Sequence, residues 1–321
     1  HLVGTPRNHQ RQPLPKPPAS LTCTTIYIGL SNPFSLRRLE PRQSMPPHAP
    51  PPQGRGVLLY YSYTDLSAPP ALEDARAFLE GSCGGRGLVG RVRVARDGIN
   101  VTVGGAMEAL QAHVDDMKGH PLFGGLSIDF KLAPMGDCYS PQVEEETGFT
   151  SLSVRSHGEL VTLGPRARAQ ADLARSAAHA TPQEFHALIS RAATAGGPPT
   201  VVLDCRNVYE TRIGRFSPPD GGAAKLVDPM LRTFSDFPQW VDDNAGVLEG
   251  RKVLMYCTGG VRCERASAYL RSKGPAFTDV HQLSGGIMRY LEAFPDGGFF
   301  HGKNFVFDPR IAVGPAAAAA A

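Results

Sequence analysis

The chain has 321 residues, 41% of them hydrophobic and 20% charged, with a net charge of +3. That length suffices for two ordinary domains of roughly 100 to 200 residues each, and no apolar run approaches the ~20 residues of a membrane-spanning helix. The six cysteines, at positions 23, 83, 138, 205, 257 and 263, form no CxxC pair, which argues against a zinc site or disulfide framework and for a reducing compartment.

Residues 1–55 stand apart from the rest. They hold twelve of the 29 prolines and seven basic residues (Arg7, Arg11, Lys16, Arg37, Arg38, Arg42 and Arg55) against Glu40 alone, a charge of +6 that leaves −3 for the remainder. So few large apolar side chains cannot offset the entropy of ordering, and the segment reads as a disordered tail. Arginine, serine and threonine with almost no acid also fit a transit peptide for a chloroplast or other organelle, with a cytoplasmic location as the alternative.

Residues 56–135 alternate in the order βαββαβ. VLLYYSY reads as a strand, and APPALEDARAFLEG as a helix that starts at Pro70 and carries Leu72, Ala75, Phe78 and Leu79 on one face. LVGRVRVARDGINVTVGG is a hairpin with Asp97-Gly98 as its two-residue turn; Val92 and Val94 face one way, Arg91 and Arg93 the other. AMEALQAHVDDMKGH is a helix and LSIDFKL the last strand, which makes a ferredoxin-like α+β sandwich. Residues 136–158, with the acidic EEE and FTSLSVRSHG, read as a linker.

From 159 to 313 short apolar strands alternate with helices: ELVTL, TPQEFHALISRA, TVVLD, FPQWVDDNAG, KVLMY, a helix from Arg262, DVHQL and GGIMRYLEAF. This rhythm predicts an α/β domain with a parallel central sheet. Thr181, Pro182 and Glu184 form a capped helix start. Residues 314–321 are low complexity.

Ligands of open parallel sheets bind beyond the carboxyl ends of the strands, and Cys257 ends the strand KVLMY there. Thr258, Gly259, Gly260 and Val261 then form a loop whose backbone N–H groups can turn inward, and Arg262 opens the next helix. A thiolate at Cys257 would be held by those N–H groups, the helix N-terminus and Arg262, which makes it a candidate nucleophile. Cys263 is a candidate modulating or resolving thiol. Ala266, Tyr269 and Leu270 are expected in the core.

Asp204-Cys205-Arg206 with Glu210 and Gly214, followed by CTGGVR, resembles a rhodanese domain, in which a six-residue loop from Cys to Arg accompanies sulfur chemistry. More closely, ARDGINVTVGG, ELVTLG, TPQEFH, DCRNVYETRIGRF, TFSDFPQWV, YCTGGVRCERASAYL, LSGGIMRYLEAFP and FVFDPRIAV resemble the rhodanese-domain tRNA uridine hydroxylases over residues 57–313. The resemblance implies an acylphosphatase-like domain ahead of the rhodanese domain, tRNA as partner, and molecular oxygen as co-substrate for conversion of the wobble uridine to 5-hydroxyuridine by the loop cysteine. Three departures are visible: Asp97 stands where the family has Glu, Val101 where it has Gly, and residues 217–230 are longer than usual.

Arg206 and Glu210 are expected to pair with each other and, with Asp204, to support the loop. Arg91, Arg93 and Lys131, with Tyr60, Tyr61 and Tyr63 on a neighbouring strand, are candidates for an RNA-binding face, although INVTV lacks the aromatics that stack bases and a solvated sheet face is the plainer expectation. No flavin or nicotinamide fingerprint, metal triad or sign of an obligate protein partner is present. Thiosulfate or persulfide sulfurtransfer, and a noncatalytic binding module with an inert Cys257, are the alternatives to hydroxylation.

Overall fold

The computed structural model describes residues 54–135, 141–193 and 199–316. Residues 1–53 of the proline-rich tail, Cys23, Cys138 and the alanines from 317 to 321 lie outside the described residues, whereas Arg55, read with the tail, belongs to the first strand and pairs with Glu144.

The first half is a five-stranded sheet with two helices on one face. Strands Arg55–Tyr63 (β1), Val89–Ala95 (β2), Gly98–Ala106 (β3), Lys131–Pro134 (β4) and Leu152–His157 (β5) lie in the order β4-β1-β3-β2-β5. The first four follow the ferredoxin-like order with antiparallel pairing, and β5 adds in parallel to β2. Helices Ala71–Gly85 and Met107–Gly119 bring Ala75, Leu79, Cys83, Leu110, Val114 and Met117 onto Leu58, Tyr60, Val92, Val94, Ile99, Val101 and Val103. Because strand side chains alternate, Leu59, Tyr61, Arg91, Arg93, Asn100 and Thr102 face away from those helices.

Three expectations for this half need correction. The 136–158 stretch holds a helix, Pro141–Thr147, and the edge strand β5 instead of a plain linker. The hairpin loop is Arg96-Asp97, since Ala95 pairs with Gly98. At Gly98, with φ +145°, an added Cβ would fall 2.1 Å from the Ser62 carbonyl oxygen, so its glycine serves close strand packing and not the turn. The last strand begins at Lys131, later than LSIDFKL implies.

The second half is a parallel sheet of Ala178–Ala180 (β6), Thr200–Asp204 (β7), Ala224–Val227 (β9), Lys252–Tyr256 (β10) and Val280–Leu283 (β11), in the order β6-β11-β10-β7-β9. The strand Gly214–Phe216 (β8) pairs separately with Phe300–Gly302 (β12). Thr181 and Glu184 cap Pro182–Ala193 reciprocally, the Glu184 backbone N–H donating to Thr181 Oγ1 at 3.2 Å and the Thr181 N–H to Glu184 Oε2 at 2.8 Å. ELVTL is not a strand: the Leu160 N–H donates to Asp97 Oδ1 and the Leu163 N–H to Glu159 Oε2, so its backbone is satisfied by carboxylates in place of a ladder.

The two halves form one compact unit. The open face of the first sheet rests on the helix Val261–Arg271. Tyr61 donates to Glu264 Oε1 at 3.1 Å, Tyr63 to the Val261 carbonyl at 3.1 Å, and Arg265 to Asp97 Oδ2 at 2.8 Å. Arg289 reaches back to Asp129 Oδ1 at 2.6 Å and to the Phe130 carbonyl at 2.9 Å. Among the described residues no helix is long and apolar enough to cross a membrane.

Asp97 accepts from both Arg265 and the Leu160 backbone across this contact, with its side chain 14% exposed. Asp97→Ala leaves both donors without their carboxylate, and a denaturant melt should show a loss of about 3 kcal/mol. A loss below about 0.5 kcal/mol would show that the pair behaves like an exposed one.

Candidate active site

Cys257 follows β10 directly and is fully buried from solvent. The loop after it is fixed from beneath by the helix Gly286–Ala293, which follows β11. The Ile287 N–H donates to the Cys257 carbonyl at 3.0 Å and the Met288 N–H to the Thr258 carbonyl at 3.2 Å. With those carbonyls held outward, the Gly260 N–H turns in and meets Cys257 Sγ at 3.1 Å. Gly286 is what allows the close approach: at φ +66° an added Cβ would lie 2.6 Å from the Cys257 carbonyl oxygen and 2.7 Å from that of Thr258.

The electrostatics favour a thiolate. Burial opposes ionisation of Cys257, but a hydrogen bond from Cys263, the charge of Arg262 and the backbone N–H groups of Arg262 and Gly260 outweigh it and bring the pKa down to about 5. Cys263 goes the other way: burial, hydrogen bonding to Cys205 and Cys257 and the proximity of both sulfurs keep its proton on. Cys263 therefore stays a neutral thiol beside the Cys257 sulfur.

Arg262 is itself anchored. Its Nη1 and Nη2 donate to Glu210 Oε2 and Oε1 at 2.6 and 2.7 Å, and Nη2 also reaches Thr258 Oγ1 at 3.2 Å. Thr258 Oγ1 donates to Glu210 Oε1 at 3.0 Å, and the Asn207 N–H to Oε2 at 3.0 Å. Burial would raise the pKa of Glu210, but the Arg262 charge and these hydrogen bonds hold it below the usual carboxylate range.

The expected pairing of Arg206 with Glu210 is not formed. Arg206 pairs with Asp204 through Nε at 2.9 Å and Nη2 at 2.7 Å, and Nη2 also donates to the Gly214 carbonyl. Tyr256, just before Cys257, donates to Asp204 Oδ2 at 2.6 Å. Asp204 and Arg206 thus tie β7, β8 and β10 together beneath the loop, whereas Glu210 belongs to Arg262. Spacing could not distinguish two acids competing for two arginines.

A cavity of about 450 Å³ opens beside Cys257, lined on one side by Thr258, Gly259, Val261 and Arg262. Its other wall is the open face of the first sheet: Leu59, Tyr61, Arg91, Arg93, Asn100 and Thr102. Tyr209, Phe234 and Phe307 add aromatic surface. The structure therefore brings Arg91 and Arg93 to the same cavity as Cys257. Arg91 also donates to the Thr147 carbonyl and Arg93 to that of Leu160, and neither meets a carboxylate among the described residues.

Lys131 is not with them. It is 2% exposed, lies 2.7 Å from Asp129 Oδ2, and burial lowers its pKa. Tyr60 points into the first core, where its hydroxyl lies 2.8 Å from His113 Nε2, and the Tyr61 and Tyr63 hydroxyls are spent on the second half. The tyrosines of β1 therefore do not form an open stacking platform.

Known proteins fit this arrangement. The UPF0176 acylphosphatase like domain matches residues 55–160, a span that takes in β5. A tRNA uridine(34) hydroxylase of Mesorhizobium japonicum is 39% identical over 271 residues, covering 84% of this chain and 77% of that protein. The chain belongs to the tRNA uridine(34) hydroxylase family. Another member, from Bacillus pumilus, is 35% identical over 80% of this chain and 71% of its own length. Rhodanese-like domain-containing protein 6 of Arabidopsis thaliana is 49% identical over 81% of this chain, which spans only 44% of that longer relative.

Since the pKa of Cys257 is about 5, its thiolate fraction rises as pH passes that value. Alkylation of Cys257 by iodoacetamide, followed by peptide mass spectrometry, should rise with a midpoint near 5 and plateau by neutral pH. Arg262→Ala should move the midpoint up by about one unit or more. A midpoint in the ordinary thiol range for the unaltered chain would contradict the site.

Proposed function

We propose that this chain hydroxylates carbon 5 of the wobble uridine of tRNA, with molecular oxygen as co-substrate and Cys257 as the nucleophile that activates the base. The family relation supports the reaction. The single observation that carries the residue assignment is Cys257 lining a cavity whose opposite wall holds Arg91 and Arg93, neither of which meets a carboxylate among the described residues.

Carbon 5 of uracil is a poor nucleophile toward oxygen. Addition of Cys257 Sγ to carbon 6 converts the ring to an enolate with an electron-rich carbon 5. The loop N–H groups and Arg262 favour anionic charge at this end of the cavity. Once carbon 5 carries the hydroxyl, loss of its proton and expulsion of the sulfur from carbon 6 restore the ring and release the thiolate. Reduction of the second oxygen atom to water takes two electrons and two protons from a donor outside the chain.

Arg91 and Arg93 are proposed to hold the phosphates flanking the uridine, where a planar fork suits phosphate oxygens. With a net charge of −3 outside residues 1–55, affinity comes from this local placement and not from a broadly basic surface. Wobble uridines lie in a single-stranded loop, so turning one into the cavity costs little. The composition of residues 1–55 supports an organellar destination, a chloroplast or another organelle, over the cytoplasm.

In a strain lacking its own enzyme for this reaction, expression of the chain should restore 5-hydroxyuridine to tRNA, seen by nucleoside mass spectrometry, and Cys257→Ser should abolish it. No 5-hydroxyuridine together with brisk thiosulfate–cyanide turnover would replace this reading with sulfurtransfer.

A further inference from the structure

We propose that Asn100 reads the Watson–Crick edge of the base presented to Cys257. The inference rests on the tRNA uridine reading above and adds the residue that recognises the base.

Strand register places Tyr61, Asn100 and Arg93 in one cross-strand row and Leu59, Thr102 and Arg91 in the next. All six line the Cys257 cavity. Most are accounted for: the Tyr61 hydroxyl donates to Glu264, Arg93 Nε to the Leu160 carbonyl and Arg91 to the Thr147 carbonyl. Leu59 packs where a Cβ on Gly259 would touch it, 3.1 Å away. Asn100 differs. Its carboxamide is partly buried in the middle strand of the sheet and has no hydrogen-bond partner among the described residues.

Asparagine is disfavoured in strands, and an unpaired carboxamide at a partly enclosed surface is a cost unless something pairs with it. The chemistry of that partner follows from the group. A carboxamide offers one acceptor and one donor side by side. Uracil presents the complementary pair at its edge, the N3–H donor beside a carbonyl oxygen, so Oδ1 accepts from N3–H while Nδ2 donates to the carbonyl. The flanking arginines then stand at the side from which the phosphates enter, and the Cys257 loop lies across the cavity. A cavity of about 450 Å³ falls within the range that encloses a small ligand such as a nucleotide.

The test uses two anticodon stem-loop RNAs, one with uridine and one with 3-methyluridine at the wobble position, which lacks the N3–H. Binding is read by fluorescence anisotropy without oxygen. The unaltered chain should prefer uridine by about tenfold or more, the worth of one buried hydrogen bond. Asn100→Ala should bind uridine RNA about tenfold more weakly and discriminate less than twofold. Asn100→Asp, which keeps the size but sets a second acceptor against the base carbonyl, should lose affinity as well. The Cys257 alkylation midpoint should stay near 5 in Asn100→Ala, showing that the loop is intact. Retained discrimination in Asn100→Ala, or equal affinity of the unaltered chain for the two RNAs, overturns the assignment. Failure of the tRNA reading is seen separately, as absence of 5-hydroxyuridine in the cellular assay while these affinities are unaffected.

Discussion

An anion buried away from water is costly, and a thiolate at the end of a central strand is stable only if its surroundings replace the lost hydration. That constraint orders much of the second half of the chain. Ile287 and Met288 take the carbonyls of Cys257 and Thr258, which frees the loop to turn its N–H groups toward the sulfur. Arg262 supplies charge, and Glu210 holds Arg262 by two hydrogen bonds so that the guanidinium keeps its place beside the loop. Glu210 is fixed in turn through Asn207 and Thr258.

The same constraint explains the contact between the halves. The first sheet buries one face on its own helices and lays the other over the Cys257 loop, so a surface that a ferredoxin-like sandwich leaves to solvent becomes a wall of the cavity. Tyr61 and Tyr63, which carry apolar rings with a polar tip, suit that role because the ring packs while the hydroxyl reaches a partner. Both halves line the cavity. The thiolate comes from one and the cationic, amide-bearing wall from the other.

Much of this was legible in the sequence because it rests on local chemistry. The capped start at Thr181 and the alternation of Val92 and Val94 with Arg91 and Arg93 depend on neighbours in the chain, as does the Cys257-to-Arg262 loop. What was not legible depends on distant partners. The sequence cannot say that Glu210 answers Arg262 while Asp204 answers Arg206, because both acids lie within a few residues of Arg206 and Arg262 is a distant partner for either. It cannot show that Lys131 is buried against Asp129, or that the unremarkable Asn100 and Thr102 face a cysteine more than 150 positions away. The strand Leu152–His157 escaped because its alternation is weak and its pairing with β2 is set by the sheet edge it covers. The strand Ala178–Ala180 is too short to carry a pattern at all.

The central claim is that the Cys257 sulfur bonds to the base during the reaction. A tRNA anticodon stem-loop bearing 5-fluorouridine at the wobble position tests it most directly, because fluorine at carbon 5 cannot leave as a proton does and the ring cannot be restored by the usual elimination. Incubated with the chain under oxygen and reductant, it should give a covalent protein–RNA adduct that peptide mass spectrometry places on Cys257. A preparation that hydroxylates ordinary uridine yet forms no adduct would contradict the account and move the chemistry to an oxidised or persulfidated sulfur that never bonds to the base.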